Sequence, residues 1–385
     1  MSDIKDETLK HLEEVAAVEK LKQDNTAKKA ILDNKRLNFQ LEQVTQHEKD
    51  LVIAKNTNYG ALTDEQIARL QKANDEYIEA AKNGMSFICD TFKGIAPYFQ
   101  KNLFLIGGKT GEGKSTTVAN IAWSTICQRS PITGKGRRVL VLTNEENAED
   151  FYNRVTCLAH GWHYTNHDKF TDEQTKTFRE WMPKLAKGGR LTVVDNVFNG
   201  SNGVTTSIEG IQGVFENLIA NGEYYDVILI DYYQNIKYSK KSAHLTEFEV
   251  QAIFANMMDR YKNEYPAPIV VMSQINPQDD KNTPFQYRIK GRKVIMDPCT
   301  FVLEMKADRE NLQTEWTVHK SRFTEAVGSC FYTGYDKGRF VVRDAEFLKK
   351  LADYKDKKMF KALDKANGIK DAFKGEDDGN KTESD

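Results

Sequence analysis

Residues Gly107 to Thr117 read GGKTGEGKSTT and constrain this chain more than any other stretch. Gly108, Gly113, Lys114 and Ser115 fit G-x-x-x-x-G-K-[ST], the spacing of a phosphate-binding P-loop. The flanks are those the loop needs. Leu103 to Ile106 form a short apolar run of buried-strand type, and Val118, Ile121, Ala122 and Ile126 follow at helical spacing. Strand, loop and helix N-terminus together aim backbone N–H groups and the positive end of a helix dipole at an anion. The expected nucleotide ligands are Gly108, Lys109, Thr110, Gly111, Glu112, Gly113, Lys114, Ser115 and Thr116. Lys114 is expected to reach the β- and γ-phosphates of ATP, and Ser115 to ligate Mg²⁺.

From about residue 85 strands and helices alternate, which predicts an α/β fold on a mostly parallel, twisted sheet. The predicted strands are 103–106, 139–143, 191–194, 226–230 and 269–272. Helices are expected after Asn147, from Ser207 and from Thr246. Four further strand-like runs, at 301–305, 314–319, 329–335 and 339–343, are joined by short turns and predict an antiparallel C-terminal extension. Upstream, residues 1–55 hold no Gly or Pro and carry a thin apolar stripe of Leu9, Leu12, Val15, Ala16 and Leu21. This reads as a charged helical or coiled-coil arm. A linker helix is expected within 56–84, opened by a capping box of Thr63 with Gln66 and stopped at Asn83-Gly84. The core is assigned to 85–350, and 351–385 to a C-terminal helix and a disordered acidic tail.

Three strand ends carry further chemistry. Val227 to Asp231 is an apolar strand ending in a carboxylate, and parallel strands place such ends at the ligand edge of the sheet. Asp231 is therefore the second expected Mg²⁺ ligand, beside Ser115. Strand 139–143 is followed by Asn144-Glu145-Glu146, where a carboxylate can deprotonate an attacking water. Strand 269–272 leads into Ser273-Gln274-Ile275-Asn276, where a polar amide can bond the γ-phosphate and report its presence to the next loop.

The set GGKTGEGKST, LTNEE, ILIDYYQNI, VVMSQIN and HKSRF, in this order, resembles the DnaB-like replicative DNA helicases over about residues 85–345. The resemblance implies a RecA-like core, a hexameric ring and ATP hydrolysis coupled to unwinding. It places the catalytic base on Glu145 and matches the Walker B stretch to Asp231, Tyr232 and Gln234. It puts the sensor on Gln274 and a Lys-x-Arg that reaches the neighbouring subunit's nucleotide on Lys320 and Arg322. Those two alternate with Val318 on and just past strand 314–319, so both are expected on one face. The chain departs from the family in having the charged arm in place of a globular N-terminal helical domain, and Phe323-Thr324 where a Gly commonly follows the Lys-x-Arg. The small size and the missing primase-like region point to a phage or mobile-element version.

The net charge of −1 gives no global basic field, so a nucleic-acid site must be local or built by several subunits. Lys237, Lys240 and Lys241 in one loop, and Lys281, Arg288, Lys290 and Arg292 in another, are the expected contacts to single-stranded DNA. The five cysteines show no CxxC spacing, which fits reduced thiols in a cytoplasmic setting, that of the host if phage-encoded. No membrane partner is expected; replisome proteins are expected at the arm or the acidic tail. Two other readings use the same ATP site: a RecA/RadA-like recombinase filament and a non-motor switch ATPase.

Overall fold

The computed structural model describes residues 62–359 except 97, 100, 165–168, 197–203, 237–244, 277–282 and 291–292, together with 48–49 and 60. The expected arm, the acidic tail, and Lys237, Lys240, Lys241, Lys281 and Arg292 lie outside the described residues. The chain divides into two compact units, 1–74 and 75–385.

A nine-stranded sheet organises the second unit, in the order β3-β2-β4-β5-β1-β6-β7-β8-β9. Its strands are β1 (Leu103–Gly108), β2 (Val139–Thr143), β3 (Leu191–Val194), β4 (Val227–Asp231), β5 (Ile269–Gln274), β6 (Phe301–Asp308), β7 (Gln313–Ser321), β8 (Cys330–Asp336) and β9 (Arg339–Val341). β3, β2, β4, β5, β1 and β6 pair in parallel, whereas β7, β8 and β9 add antiparallel. The antiparallel extension thus starts at β7. The run at 301–305, expected to open it, instead completes the parallel part against β1.

The helices are α1 (Asp64–Lys82), α2 (Lys114–Ile126), α3 (Ala148–His160), α4 (Asp172–Lys187), α5 (Ile208–Ala220), α6 (Glu247–Glu264) and the short α7 (Phe285–Arg288). Central strands covered on both faces read as unbroken apolar runs, and alternate residues feed two separate cores. Leu103, Leu105, Leu140, Leu142, Ile228 and Ile230 pack with α5 and α6. Phe104, Ile106, Val139, Val141, Val227 and Leu229 pack with α2 and α3. In the first core Phe215 stacks on Tyr261 at 4.3 Å, an aromatic pairing worth about 1 kcal/mol beyond its buried area.

Helix starts follow their side chains. The Thr63–Gln66 box closes at α1, with the Thr63 N–H donating to Gln66 Oε1 at 2.9 Å. Thr246 with Glu249 does the same for α6. Asn147 makes no side-chain cap at α3; Asp195, just past β3, accepts from the Ala148 N–H instead. α4 was not expected from the sequence. It begins at Thr171-Asp172-Glu173-Gln174, the same tetrapeptide and the same capping box as α1.

The alternation of Lys320 with Val318 is broken. Val302 pairs with Lys320 and Leu303 with Val318, so β7 carries one extra residue, His319, between them. The bulge reverses the alternation. Val318 points into the core beneath α2 and α3, while Lys320 shares its face with Val302 on the opposite side of the sheet.

Candidate nucleotide site

β1 ends at Gly108 and α2 begins at Lys114, with Gly113 as the N-cap residue. Gly113 sits at φ 93°, a left-handed conformation that favours glycine. The Lys114 ammonium donates to the carbonyls of Gly108 at 3.3 Å and Lys109 at 3.0 Å. Burial lowers its pKa, against the raising pull of Glu145, Asp231 and Glu112. The loop's outer side is tied to the β6–β7 hairpin: Glu112 accepts from the Ala307 N–H, and Arg309 donates to the Gly111 carbonyl at 2.9 Å.

Asp231 closes β4 and is 1% exposed. Burial first, and then the charge of Glu145, push its carboxyl up to about 7, although Ser115 and Lys114 pull the other way. The Ser115 hydroxyl lies near it, yet neither Asp231 oxygen makes a hydrogen bond of normal geometry. A buried carboxylate without a donor, next to a hydroxyl at the head of α2, is a donor set that suits a hard divalent cation such as Mg²⁺. Among the described residues no group of three or more His, Cys, Asp or Glu forms a metal cluster, so such an ion would take its remaining ligands from phosphate and water.

The two glutamates after β2 are placed differently. Glu146 is bound by Arg154, whose Nη2 lies 2.6 Å and Nε 3.3 Å from the carboxylate. Glu145 is exposed, and its charge acts on both Lys114 and Asp231. Asn144 anchors the turn between them and β4. Its amide donates to the Tyr232 carbonyl at 2.9 Å and accepts from the Tyr232 N–H at 3.2 Å, beside the cis peptide Asp231-Tyr232.

Sequence reasoning gave no role to Asn144 or Arg154. Arg154 had a readable signal: it interrupts the stripe Phe151, Val155, Leu158 as a charge on the inward face of α3.

At the tip of β5, Gln274 donates from its amide to the Thr110 hydroxyl in the phosphate loop. Gln234, just past β4, holds that tip. Its Oε1 accepts from the Gln274 N–H at 3.1 Å, and its amide donates to Ser273 Oγ at 2.9 Å and to the Lys290 carbonyl at 2.9 Å. Residues 274–276 pair with 288–290 around the Ile275–Ile289 bridge, so the second basic loop is rooted on the sensor segment.

Of that loop's cations, Lys290 is exposed, with its ammonium 3.5 Å from Gln274 Oε1. Arg288 departs from the expected contact to DNA: its guanidinium is half-buried in an ion pair with Glu304. Lys320 donates to the carbonyls of Met296 at 2.7 Å and Asp297 at 3.0 Å, and Arg322 to that of Asp297 at 3.2 Å. Both cations therefore lie together. Among the described residues no hydrogen bond or ion pair joins either to its own phosphate loop. Phe323, at the position where a glycine is common, packs against Tyr77 of α1 at 5.9 Å and Phe99 at 6.1 Å.

A P-loop at the tip of a parallel strand, facing a buried strand-end aspartate, defines a P-loop NTPase with a RecA-like sheet. The family described as "DnaB-like helicase C terminal domain" matches residues 82–286, more than half of the chain, and the chain belongs to that family. It is accordingly an enzyme of the NTP-hydrolysing DNA helicase type. The fold is similar to a solved structure described as an ATPase domain, with a TM-score of 0.58 at 13% identity over 73% of this chain and 100% of that one. It is also similar to a structure described as "The Structure Of A DnaB-Like Replicative Helicase And Its Interactions With Primase", with a TM-score of 0.55 at 13% identity over 79% and 72%. Comparison with curated protein sequences found no match. No helix among the described residues is long and apolar enough to cross a membrane.

Proposed function

We propose that the chain is an ATP-driven replicative helicase that assembles as a hexameric ring and translocates on single-stranded DNA. The observation that carries this reading is Gln274, which bonds the phosphate loop at Thr110 while its own segment forms the root of a basic loop. A change at the γ-phosphate is thereby felt where a strand would be gripped.

In the proposed reaction Lys114 and the loop N–H groups bind the ATP phosphates. Ser115 and Asp231 would hold Mg²⁺, and the ion would supply positive charge against that developing on the phosphates. Glu145 takes a proton from the attacking water, and Gln274 orients the γ-phosphate or that water. Lys320 and Arg322 complete the site of the neighbouring subunit, a role supported by their having no hydrogen bond or ion pair to their own loop among the described residues. The basic contacts are assigned to Lys237, Lys240, Lys241, Lys281, Lys290 and Arg292, whereas Arg288 is engaged by Glu304.

The proposal keeps the division into arm 1–55, linker helix 56–84, core 85–350 and tail 351–385, with replisome partners at the arm or tail and a cytoplasmic location. Strand displacement on forked DNA of either polarity tests it, with Lys114→Ala as control. Closed rings in electron micrographs are the expected assembly. Open filaments on DNA would support the recombinase reading instead, and ATP turnover indifferent to single-stranded DNA would support a switch ATPase.

A further inference from the structure

Glu304 is a carboxylate of β6 to which the chemistry above gives no role. Its register partner across β1 is Gly107, at the head of the phosphate loop. Arg288 grips it with both terminal nitrogens, Nη2 lying 2.5 Å from Oε2. His319 Nε2 lies 2.8 Å from the same oxygen. The Phe285 ring stacks on the His319 ring at 4.2 Å with planes 5° apart, and a Cβ on Gly107 would stand 2.6 Å from Phe285 Cζ. The Arg288 and Glu304 side chains are 14% and 18% exposed, so the cluster is shielded from water and screened less than a surface ion pair.

The two ends of the cluster reach the root of the basic loop and the strand that carries Lys320. The Arg288 carbonyl accepts from the Asn276 N–H at 2.8 Å, in the ladder that roots the basic loop beside Gln274. His319 is the bulged residue immediately before Lys320. Without that bulge Lys320 would continue on the Val318 face, inside the core, away from the Asp297 carbonyl that it shares with Arg322.

We propose that Glu304 is a positioning residue that joins the root of the single-strand loop to the cations offered to the next subunit. A displacement of the loop root moves Arg288, and through Glu304 it reaches the bulge at His319 and so Lys320 and Arg322. Glu304 makes no side-chain hydrogen bond to the phosphate loop among the described residues, so its removal is expected to leave nucleotide binding in place. The inference rests on the helicase reading above.

The test compares ATP turnover of the full-length protein with and without a thymidine oligonucleotide, in wild type, Glu304→Ala, Glu304→Gln and Glu304→Asp. In Glu304→Ala the stimulation by the oligonucleotide is expected to fall at least about fivefold, the lower end of ordinary coupling between sites. KM for ATP and ring assembly stay as in wild type, and Glu304→Asp, which keeps the charge, recovers part of the stimulation. A purely structural role would lower basal and stimulated rates alike and leave their ratio unchanged, which overturns the proposal. If Glu304→Ala does not fold, Glu304→Gln gives the same ratio with the shape retained. A wild type that the oligonucleotide does not stimulate overturns the helicase reading itself. A stimulated wild type with an unchanged ratio in Glu304→Ala overturns only the coupling.

Discussion

Arg154 holds the carboxylate of Glu146 at 2.6 Å, while the adjacent Glu145 makes no ion pair among the described residues and acts by charge on Lys114 and Asp231. Two neighbouring glutamates with the same backbone origin thus stand in separate electrostatic settings. Glu145→Gln is expected to slow hydrolysis by about a hundredfold or more, as loss of a general base does, while nucleotide still binds. Glu146→Gln should bind and hydrolyse far better than Glu145→Gln. Single-turnover phosphate release, alongside binding of a fluorescent ATP analogue, measures both. A dead Glu146→Gln beside an active Glu145→Gln would move the base by one residue.

Lys320 and Arg322 rest on the 296–297 carbonyls of their own chain. If they serve the next subunit, Arg322→Ala and Lys114→Ala are each inactive alone, the first for want of a finger and the second for want of a phosphate counter-charge. Mixed, some interfaces join an intact loop to an intact finger, and part of the ATPase should return. Wild-type turnover by Arg322→Ala alone would end the assignment.

Replacing Lys237, Lys240 and Lys241 with Ala should weaken single-strand binding most at low salt. Three lost phosphate contacts at about 0.7 each flatten the slope of log K against log salt by about 2. Titrations at several salt concentrations read this directly, and basal ATPase should persist. An unchanged slope places the strand elsewhere.

Although burial of Glu304 tends to raise its pKa, the hydrogen bonds from His319 and Arg288 hold it at about 2, below the ordinary 4.5. The folded carboxyl is depressed, so the stability it contributes is present above pH 4.5 and is lost as pH falls from there toward 2. Thermal unfolding across that window should show a shallower acid limb in Glu304→Gln than in wild type. Identical limbs would mean the carboxylate does not contribute.

α1 leaves Ile67, Leu70 and Ile78 exposed, a cluster of large apolar side chains on one helix. In a ring these suit a neighbouring subunit. Ile67→Asp combined with Leu70→Asp is expected to convert hexamers to smaller species in sedimentation velocity, with the core still folded. Hexamers that survive would show that contacts between cores suffice.

The sequence by itself determined the elements whose signal is local. The five predicted parallel strands lie within two residues of those observed, because burial on both faces demands an uninterrupted apolar run. The P-loop was legible for a related reason, since its glycines and Lys114 must follow one another directly in the chain. The caps at Thr63 and Thr246 were similarly local. α4 was missed although its cap matches that of α1. It contains Pro183, which in a sequence reads as a helix breaker, although Phe178, Trp181 and Leu185 recur at helical spacing and Leu185 packs against the core.

Only the tertiary structure decided what depends on partners far apart in the chain. Asn144 meets Tyr232 across 88 residues, and Gln274 meets Thr110 across 164. Arg288 was expected at single-stranded DNA, and only the closing of β6 brought Glu304 beside it. The face of Lys320 turned on one residue: the bulge at His319 arises from pairing with β6, and alternation counted along β7 alone cannot detect it. Periodicity reports which side of an element meets the core, because burial acts residue by residue. Register, ion pairing and the choice between two adjacent glutamates are set by contacts between elements, and those exist only once the chain has closed on itself.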